Sequence, residues 1–449
     1  MPNLNSWLQN FKIYTEKRVA ILFFLGFSSG LPLLLIFTTL GLWLRGAGIS
    51  LENIGYFSWI PLAYGWKWIW SPLVDRFSIP LFTRWLGRRR AWLLLSQIAL
   101  VLAIIGMANS DPQQNLTAFV IFALIVAYSS ATQDIVIDAF RIESAPERYQ
   151  AAMAAAYMTG YRIAMMVAGA GALLIAAWAS DGDAYQLSAW STAYLVMAGC
   201  MGVGIVTTFI CHEPEYTNKQ KNHNAQIESK LKHQHLPHPI ARFLAWLDIA
   251  LVAPFRDFFQ RYGKPATVIL LLIGTYRISD IVMGVMANPF YLDMGYTLAE
   301  VAAISKVFGV IMTLLGAALG GILLSRYSTY SILFLGAFLV VVTNLIFAVL
   351  AFVGKDIALL TLIISMDNIS AGIATTAFIT YISKLTNIEF SATQYALFSS
   401  LMLLFPKFIA GFSGVYVESF GYIHFFVGAA LIGVPVLGLI LLLKKMIKD

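Results

Sequence analysis

Apolar residues fill this chain in long runs broken by short polar segments. One crossing of a bilayer core takes about 20 apolar residues wound as a helix. Read that way, the runs predict twelve helices, near 19–44, 52–73, 91–109, 117–140, 151–179, 188–211, 266–292, 299–324, 331–353, 357–383, 393–416 and 422–443. The fifth, seventh and tenth runs contain charges. The pattern therefore predicts an all-α integral membrane protein of twelve helices.

Composition agrees with the pattern. Of 449 residues, 59% are hydrophobic and 12% charged, and the mean hydropathy is +0.75. Soluble domains carry about 25% charged residues, so a soluble enzyme, a nucleic-acid binder and a disordered chain are excluded. The net charge of +7 is then a question of where basic residues sit. With both termini on one side, that side collects 23 of the 30, including Arg76, Arg88, Arg89, Arg141, Arg148 and Lys444; Arg45 and Lys355 lie opposite, and five fall within spans. Such a bias predicts cytoplasmic termini. The polar start MPNLNSWLQNFKIYTEKR leads into a run too long for a signal-peptide core, which reads as an uncleaved first helix. Cys200 and Cys211 share one apolar run and imply no disulfide framework.

The longest hydrophilic stretch, 212–264, divides the chain into a first six-helix half (1–211) and a second (265–449). Its early part is polar linker. Ile240, Phe243, Leu244, Leu247 and Leu251 then recur at helical spacing, with Arg256 and Arg261 beyond, which predicts an amphipathic helix on the cytoplasmic face. His233, His235 and His238 read as solvated linker, because no Cys or carboxylate completes a ligand set. A weak internal repeat relates the halves: Gly26 aligns with Gly274, LWLRGAGISLENI (42–54) with FYLDMGYTLAEV (290–301), and SPLVDR (71–76) with GGILLSR (320–326). Two six-helix pseudo-repeats around a long central loop resemble the plan of a major facilitator transporter, whose substrate site lies near midplane between the halves.

Charges within spans are costly and mark pathways, pairs or ligand sites. Here they are Asp134, Asp138, Asp280 and Asp367 with Lys67, Arg162, Arg277, Lys306 and Lys407. Asp134 and Asp138 are four apart and share a helix face. Two close carboxylates do not both ionise easily, which suits a proton relay; alternatively, Asp138 caps the helix end beside Arg141. Arg277 and Asp280 are three apart and can pair, either as a neutral packing pair or as an Arg held ready for a substrate carboxylate. Arg162 has no acid three or four residues away, so it meets one on another helix or binds substrate. Lys306 and Lys407 are further carboxylate contacts, Lys67 either snorkels or binds, and Asp367 can serve any of these cations as a charge partner.

Aromatic residues crowd the second helix: Tyr56, Phe57, Trp59, Tyr64, Trp66, Trp68 and Trp70. Most read as interfacial belt or lipid-facing packing. Tyr64 and Trp68 share a face beside Lys67, a platform that suits a sugar or other ring. The loop with Asp75, Arg76, Arg88 and Arg89 is a topology signal and also fits a cytoplasmic gate latch. Gly160, Gly169, Gly171, Gly320 and Gly321 permit close helix approach. No H-E-x-x-H, G-x-S-x-G or cysteine–histidine arrangement is present, so the chain reads as a carrier and not an enzyme.

Several segments resemble one family, the AmpG muropeptide permeases of the major facilitator superfamily: LGFSSGLPL (25–33), SPLVDR…GRRRAWLL (71–94), SATQDIVIDAF (130–140), GYRIAMMVAG (160–169), YRISD (276–280), GGILLSR (320–326) and FSATQYAL (390–397). They span both halves in order. The resemblance implies proton-driven uptake of anhydro-muropeptides, which are cell-wall sugar–peptide fragments, from periplasm to cytoplasm across a bacterial inner membrane. Cell-wall recycling and β-lactamase induction go with it. It places proton coupling at Asp134 and Asp138. Departures are Ser71 in the gate loop, the insertion SIPLFTRWL, Asp367 where a Glu is expected in relatives, and Lys407 near an expected Arg. The wider family includes acetyl-CoA transporters, so another organic anion is the alternative substrate; a muropeptide receptor that moves nothing is the alternative mode. The expected ligand contacts are Gln133, Arg162, Tyr276, Arg277, Lys306, Lys407, Tyr64 and Lys67. No cofactor beyond the coupling proton and no nucleic-acid partner are expected, and the protein is expected to be a monomer in the bilayer.

Overall fold

The computed structural model describes residues 16–447, except 68, 145–146, 183–184, 215–251 and 386–390. Every regular element among the described residues is a helix. Ten are long and apolar enough to cross a membrane: Lys17–Gly46, Arg88–Ala108, Leu116–Arg141, Ala152–Trp178, Leu187–Ile210, Pro265–Asp293, Leu298–Arg326, Thr329–Val353, Ile357–Leu385 and Ser413–Met446. The eleventh predicted run is the helix Ser391–Ala410, with a shorter apolar core, Leu397–Ala410. The second departs from expectation. It is broken into Leu51–Phe57, Leu62–Trp66 and Ser71–Arg76, with Pro61 and Pro72 beside the breaks, where a proline removes a helix hydrogen bond. Together these account for the twelve predicted spans, which are numbered below in chain order. The amphipathic segment around 240–251 and the linker histidines lie outside the described residues; the helix Ala253–Tyr262, carrying Arg256 and Arg261, follows them.

The first and seventh spans are each interrupted. Lys17–Ile36 stops at Phe37, whose φ −104° and ψ −84° are not helical, and Thr38–Gly46 continues. Pro265–Thr275 gives way at Arg277 to Ile278–Asp293. Discontinuous spans of this kind line transporter binding sites. The fifth and eighth carry wide turns of π-helix, Val167–Gly171 and Ala302–Phe308, which pack on each other. Such turns gather at functional positions.

The closest helix pairs join spans one and five, eight and ten, nine and twelve, three and four, and nine and ten. Glycine permits the first of these. A Cβ on Gly160 would lie 1.9 Å from the Phe23 carbonyl oxygen, and one on Gly26 would lie 2.1 Å from that of Tyr157. With no hydrophobic drive between helices in lipid, such backbone contact is what binds them. Gly160→Val is expected to cost about 3 kcal/mol through overpacking, seen as loss of monodisperse protein on size-exclusion chromatography and a lowered Tm.

The spans alternate in direction, so one end of the bundle carries Lys17, Arg88 and Lys444 (the basic end) and the other carries Arg45, Asp293 and Lys355 (the distal end). Helix pairs linking residues 17–211 to residues 253–447 run from mid-span to the distal end. Thr38–Gly46 meets Ile278–Asp293, Leu51–Phe57 meets Ser413–Met446, and Leu62–Trp66 meets Ser391–Ala410. There the backbones nearly touch: a Cβ on Gly414 would lie 1.7 Å from the Leu51 carbonyl oxygen. Trp59 donates its indole N–H to the Phe408 carbonyl at 3.0 Å and stacks on that ring. Tyr56 and Phe412 join the cluster, and Phe57 is buried. Of the second-span aromatics expected in the belt or against lipid, Tyr56 and Trp59 also pack across the distal seam while partly exposed. Trp66 remains exposed as expected.

Candidate functional site

A cavity of about 240 Å³ opens at this seam, beside the two helix interruptions. Phe37, Thr38, Phe57 and Ser58 line it from the first two spans, and Arg277, Asp280, Asn288 and Lys407 from the seventh and eleventh. Arg277 and Asp280 form a direct ion pair on its wall. Lys407 is buried at 8% exposure. Among the described residues no carboxylate lies within 4 Å of its ammonium, which sits 3.6 Å from the centroid of the Phe37 ring. Asn288 turns its amide oxygen to the buried Lys306, whose Nζ donates to it at 2.7 Å. Lys306 lies in the eighth-span π turn, against Gly169 of the fifth. The structure thus brings Arg277, Asp280 and Lys407 together on one cavity, with Lys306 behind it.

Other expected contacts are engaged elsewhere. Tyr276 donates its hydroxyl to the Leu333 carbonyl at 3.1 Å and stacks on Phe378. It is a packing residue among the seventh, ninth and tenth spans, not a cavity group, because its hydroxyl has one protein acceptor and its ring one protein partner. Gln133 is fully buried; it accepts from the Ser28 hydroxyl at 3.0 Å and donates to the Ser28 carbonyl at 3.1 Å. Both ends of its amide are satisfied by the first span, so it is not free for ligand. Arg162 is exposed, with no carboxylate within 4 Å among the described residues. Asp367 accepts from the Thr343 hydroxyl at 3.2 Å, without a cation within 4 Å among the described residues.

The acids of the fourth span fall into different surroundings. The Ser29 hydroxyl donates to Asp134, and the Tyr157 hydroxyl donates to Ser29 at 2.8 Å. Lys67 and the exposed Asp138 act on Asp134 electrostatically, and Asp134 in turn acts on Tyr64 and Tyr161. Ser28 and Ser29 belong to LGFSSGLPL, and Gln133 and Asp134 to SATQDIVIDAF. The two segments therefore meet side chain to side chain. Tyr64 turns its buried hydroxyl toward Ser130 and this acid cluster, while Trp68 lies outside the described residues. Asp138 is 52% exposed and sits 3.8 Å from Arg141, one turn nearer the basic end than Asp134; the helix runs on to Ser144, so Asp138 does not stand at its end.

The basic loop is ordered within the first six spans. Arg89 is buried and forks onto Glu143 at 3.0 and 2.7 Å. The Arg89 and Arg90 backbone N–H groups donate to Glu213 at 2.8 and 3.1 Å, a carboxylate satisfying the open N-terminus of the third helix. Gly87 is required there: its φ is +90°, and a Cβ would meet Glu213 at 2.4 Å. Arg88 stands at the start of that helix. The Asp75 and Arg76 side chains lie outside the described residues. The distal end holds a cross-seam cluster that sequence reasoning missed. Arg45 grips Asp293 through both carboxylate oxygens at 2.6 and 2.8 Å, and the Tyr422 hydroxyl donates to Asp293 at 2.7 Å. The signal was available: Arg45 and Asp293 are equivalent positions in the weak repeat, with opposite charge.

The Major Facilitator Superfamily profile matches residues 22–411. A transporter of Rickettsia felis named AmpG 4 is 32% identical over 97% of this chain and 98% of its own length. The anhydromuropeptide permease of Escherichia coli K12 is 35% identical over 97% of this chain and 81% of its own. The chain belongs to the Major Facilitator Superfamily, in its AmpG branch. Solved structures agree on the fold. A POT family transporter in complex with a thioalcohol-conjugated peptide superposes with a TM-score of 0.68 at 12% identity, covering 96% of each chain. A D-xylose–proton symporter superposes with 0.66 at 12%, covering 92% of this chain and 96% of its own. The protein is thus a multi-pass membrane transporter and not an enzyme.

Proposed function

We propose that this AmpG-branch transporter imports anhydro-muropeptides by proton symport across a bacterial inner membrane, as a monomer with both termini in the cytoplasm. The observation that carries the reading is the cationic seam cavity. Arg277 and Lys407 face it, Lys306 stands behind Asn288, and Asp280 is the one carboxylate on its wall among the described residues. Such a site favours a ligand bearing carboxylate, and guanidinium binds carboxylate in two-point geometry. The relatives' printed names supply the substrate class.

The same geometry suggests a cycle. Closed distal contacts, with no strong cross-seam helix pair at the basic end among the described residues, support a state open toward the basic end. In this state ligand leaves the cavity toward the cytoplasm. Asp134 gives up its proton past Asp138, which lies exposed one turn closer to that end. Ligand and proton together favour the opposite state by binding it better, and that difference gives direction. The test is counterflow in proteoliposomes preloaded with unlabelled anhydro-muropeptide. Labelled muropeptide is expected to enter and to be competed by unlabelled muropeptide but not by acetyl-CoA. Competition by acetyl-CoA alone moves the assignment to another organic anion. Saturable binding without counterflow makes the protein a receptor.

A further inference from the structure

The ring of Phe37 and the ammonium of Lys407 meet across the seam, inside the cavity. Phe37 is the residue at which the first span loses helical geometry, so its side chain is set by the break and not by the helix. Lys407 comes from the eleventh span, one residue after Pro406. A buried ammonium needs a partner. Here the acid on the cavity wall, Asp280, is already paired with Arg277, and the partner in place is the negative face of an aromatic ring at 3.6 Å. That contact strengthens when water is excluded. It is also weaker than a charge-assisted hydrogen bond to a carboxylate. The arrangement leaves Lys407 held but exchangeable.

We propose that Phe37 is a positioning residue that parks Lys407 in the empty, basic-end-open state, and that an arriving ligand carboxylate takes the ammonium from the ring. The exchange breaks a bond between the two halves of the molecule at the moment the cavity fills. Filling the site therefore loosens the seam, and emptying it lets the seam re-form. The inference rests on the proposed function for the identity of the carboxylate. The parking contact itself stands on the geometry of the empty protein.

The consequence has a sign that simple loss of a binding residue does not share. Parking competes with ligand, so removing the ring tightens binding. In Phe37→Leu, the Kd for GlcNAc-anhydroMurNAc-tripeptide, measured by calorimetry in detergent, is expected to fall by about tenfold, the scale of a desolvated cation–π contact. Turnover is expected to slow, because ligand leaves less readily. In a Lys407→Met background the same change at Phe37 is expected to leave Kd unmoved, since the competition no longer exists; this is a double-mutant cycle. A ligand-free cycle on the Tm of the empty protein, with the same variants, is expected to show coupling between the two residues. Weaker or unchanged binding in Phe37→Leu, or no coupling in the ligand-free cycle, overturns the proposal. If the wild type binds no muropeptide while the ligand-free coupling is present, the substrate reading fails and the parking contact stands; the same cycle is then read with acetyl-CoA, and a Kd that Phe37→Leu does not lower overturns the exchange.

Discussion

Asp134→Asn is expected to abolish accumulation of muropeptide against a gradient while leaving its Kd within about twofold, since asparagine mimics the protonated acid and the cavity cations that bind ligand are untouched. Asparagine keeps the shape of the side chain and still accepts from Ser29, which donates to Asp134 in the structure. What it cannot do is exchange a proton. Spans one and five stay packed through Gly26 and Gly160, the Ser29 contact to span four is kept, and only the charge cycle is lost. The expected signature is a carrier that equilibrates ligand in counterflow but does not respond to a pH gradient. Asp138→Asn provides the contrast. That acid is exposed and paired loosely with Arg141, so its loss is expected to slow proton exit and leave concentrative uptake measurable. If Asp134→Asn still concentrates ligand under an imposed gradient, the coupling acid lies elsewhere, and Asp367, held by Thr343, is the next to test.

Asp293→Asn is expected to shift the resting molecule away from the basic-end-open state by about tenfold, the shift that corresponds to about 1.4 kcal/mol. Isolated surface ion pairs contribute less than this. This pair differs because it is bidentate and partly buried, and it receives a third hydrogen bond from Tyr422. It also bridges the first and seventh spans, so its energy falls entirely on the seam. A cysteine introduced at Ser58, on the cavity wall, reports the shift through faster modification by a membrane-impermeant reagent applied from the distal side. Exchanging the charges, Arg45→Asp with Asp293→Arg, is expected to restore the wild-type rate. Restoration is the decisive outcome, because a merely damaged distal end is not repaired by a second substitution.

The sequence carries the number of spans, since apolar runs of helical length reflect what the bilayer demands of any crossing segment. It carries the second span less well. Tyr56 and Trp59 read as belt residues because composition cannot distinguish an aromatic facing lipid from one facing another helix; their partners, Phe408 and Phe412, lie some 350 residues away in the chain. The intramembrane charges were legible for the cost of burying them, and Arg277, Asp280 and Lys407 do share a cavity. Gln133 and Tyr276 were not separable from ligand contacts by the same reasoning. A buried amide or hydroxyl must have a partner, but only the fold shows that Ser28 and the Leu333 carbonyl are those partners. Phe37 and Asn288 gave no signal at all, being an ordinary apolar residue and an ordinary amide until the seam places Phe37 against Lys407 and the packing of the seventh and eighth spans places Asn288 against Lys306.

The most direct test of the whole account is uptake of labelled anhydro-muropeptide into proteoliposomes holding the purified protein, with an imposed inward proton gradient. Accumulation above the external concentration, collapsed by a protonophore and absent in Asp134→Asn, is the expected result. Uptake that only equilibrates, unaffected by the gradient in the wild type, contradicts proton symport and leaves a facilitated carrier.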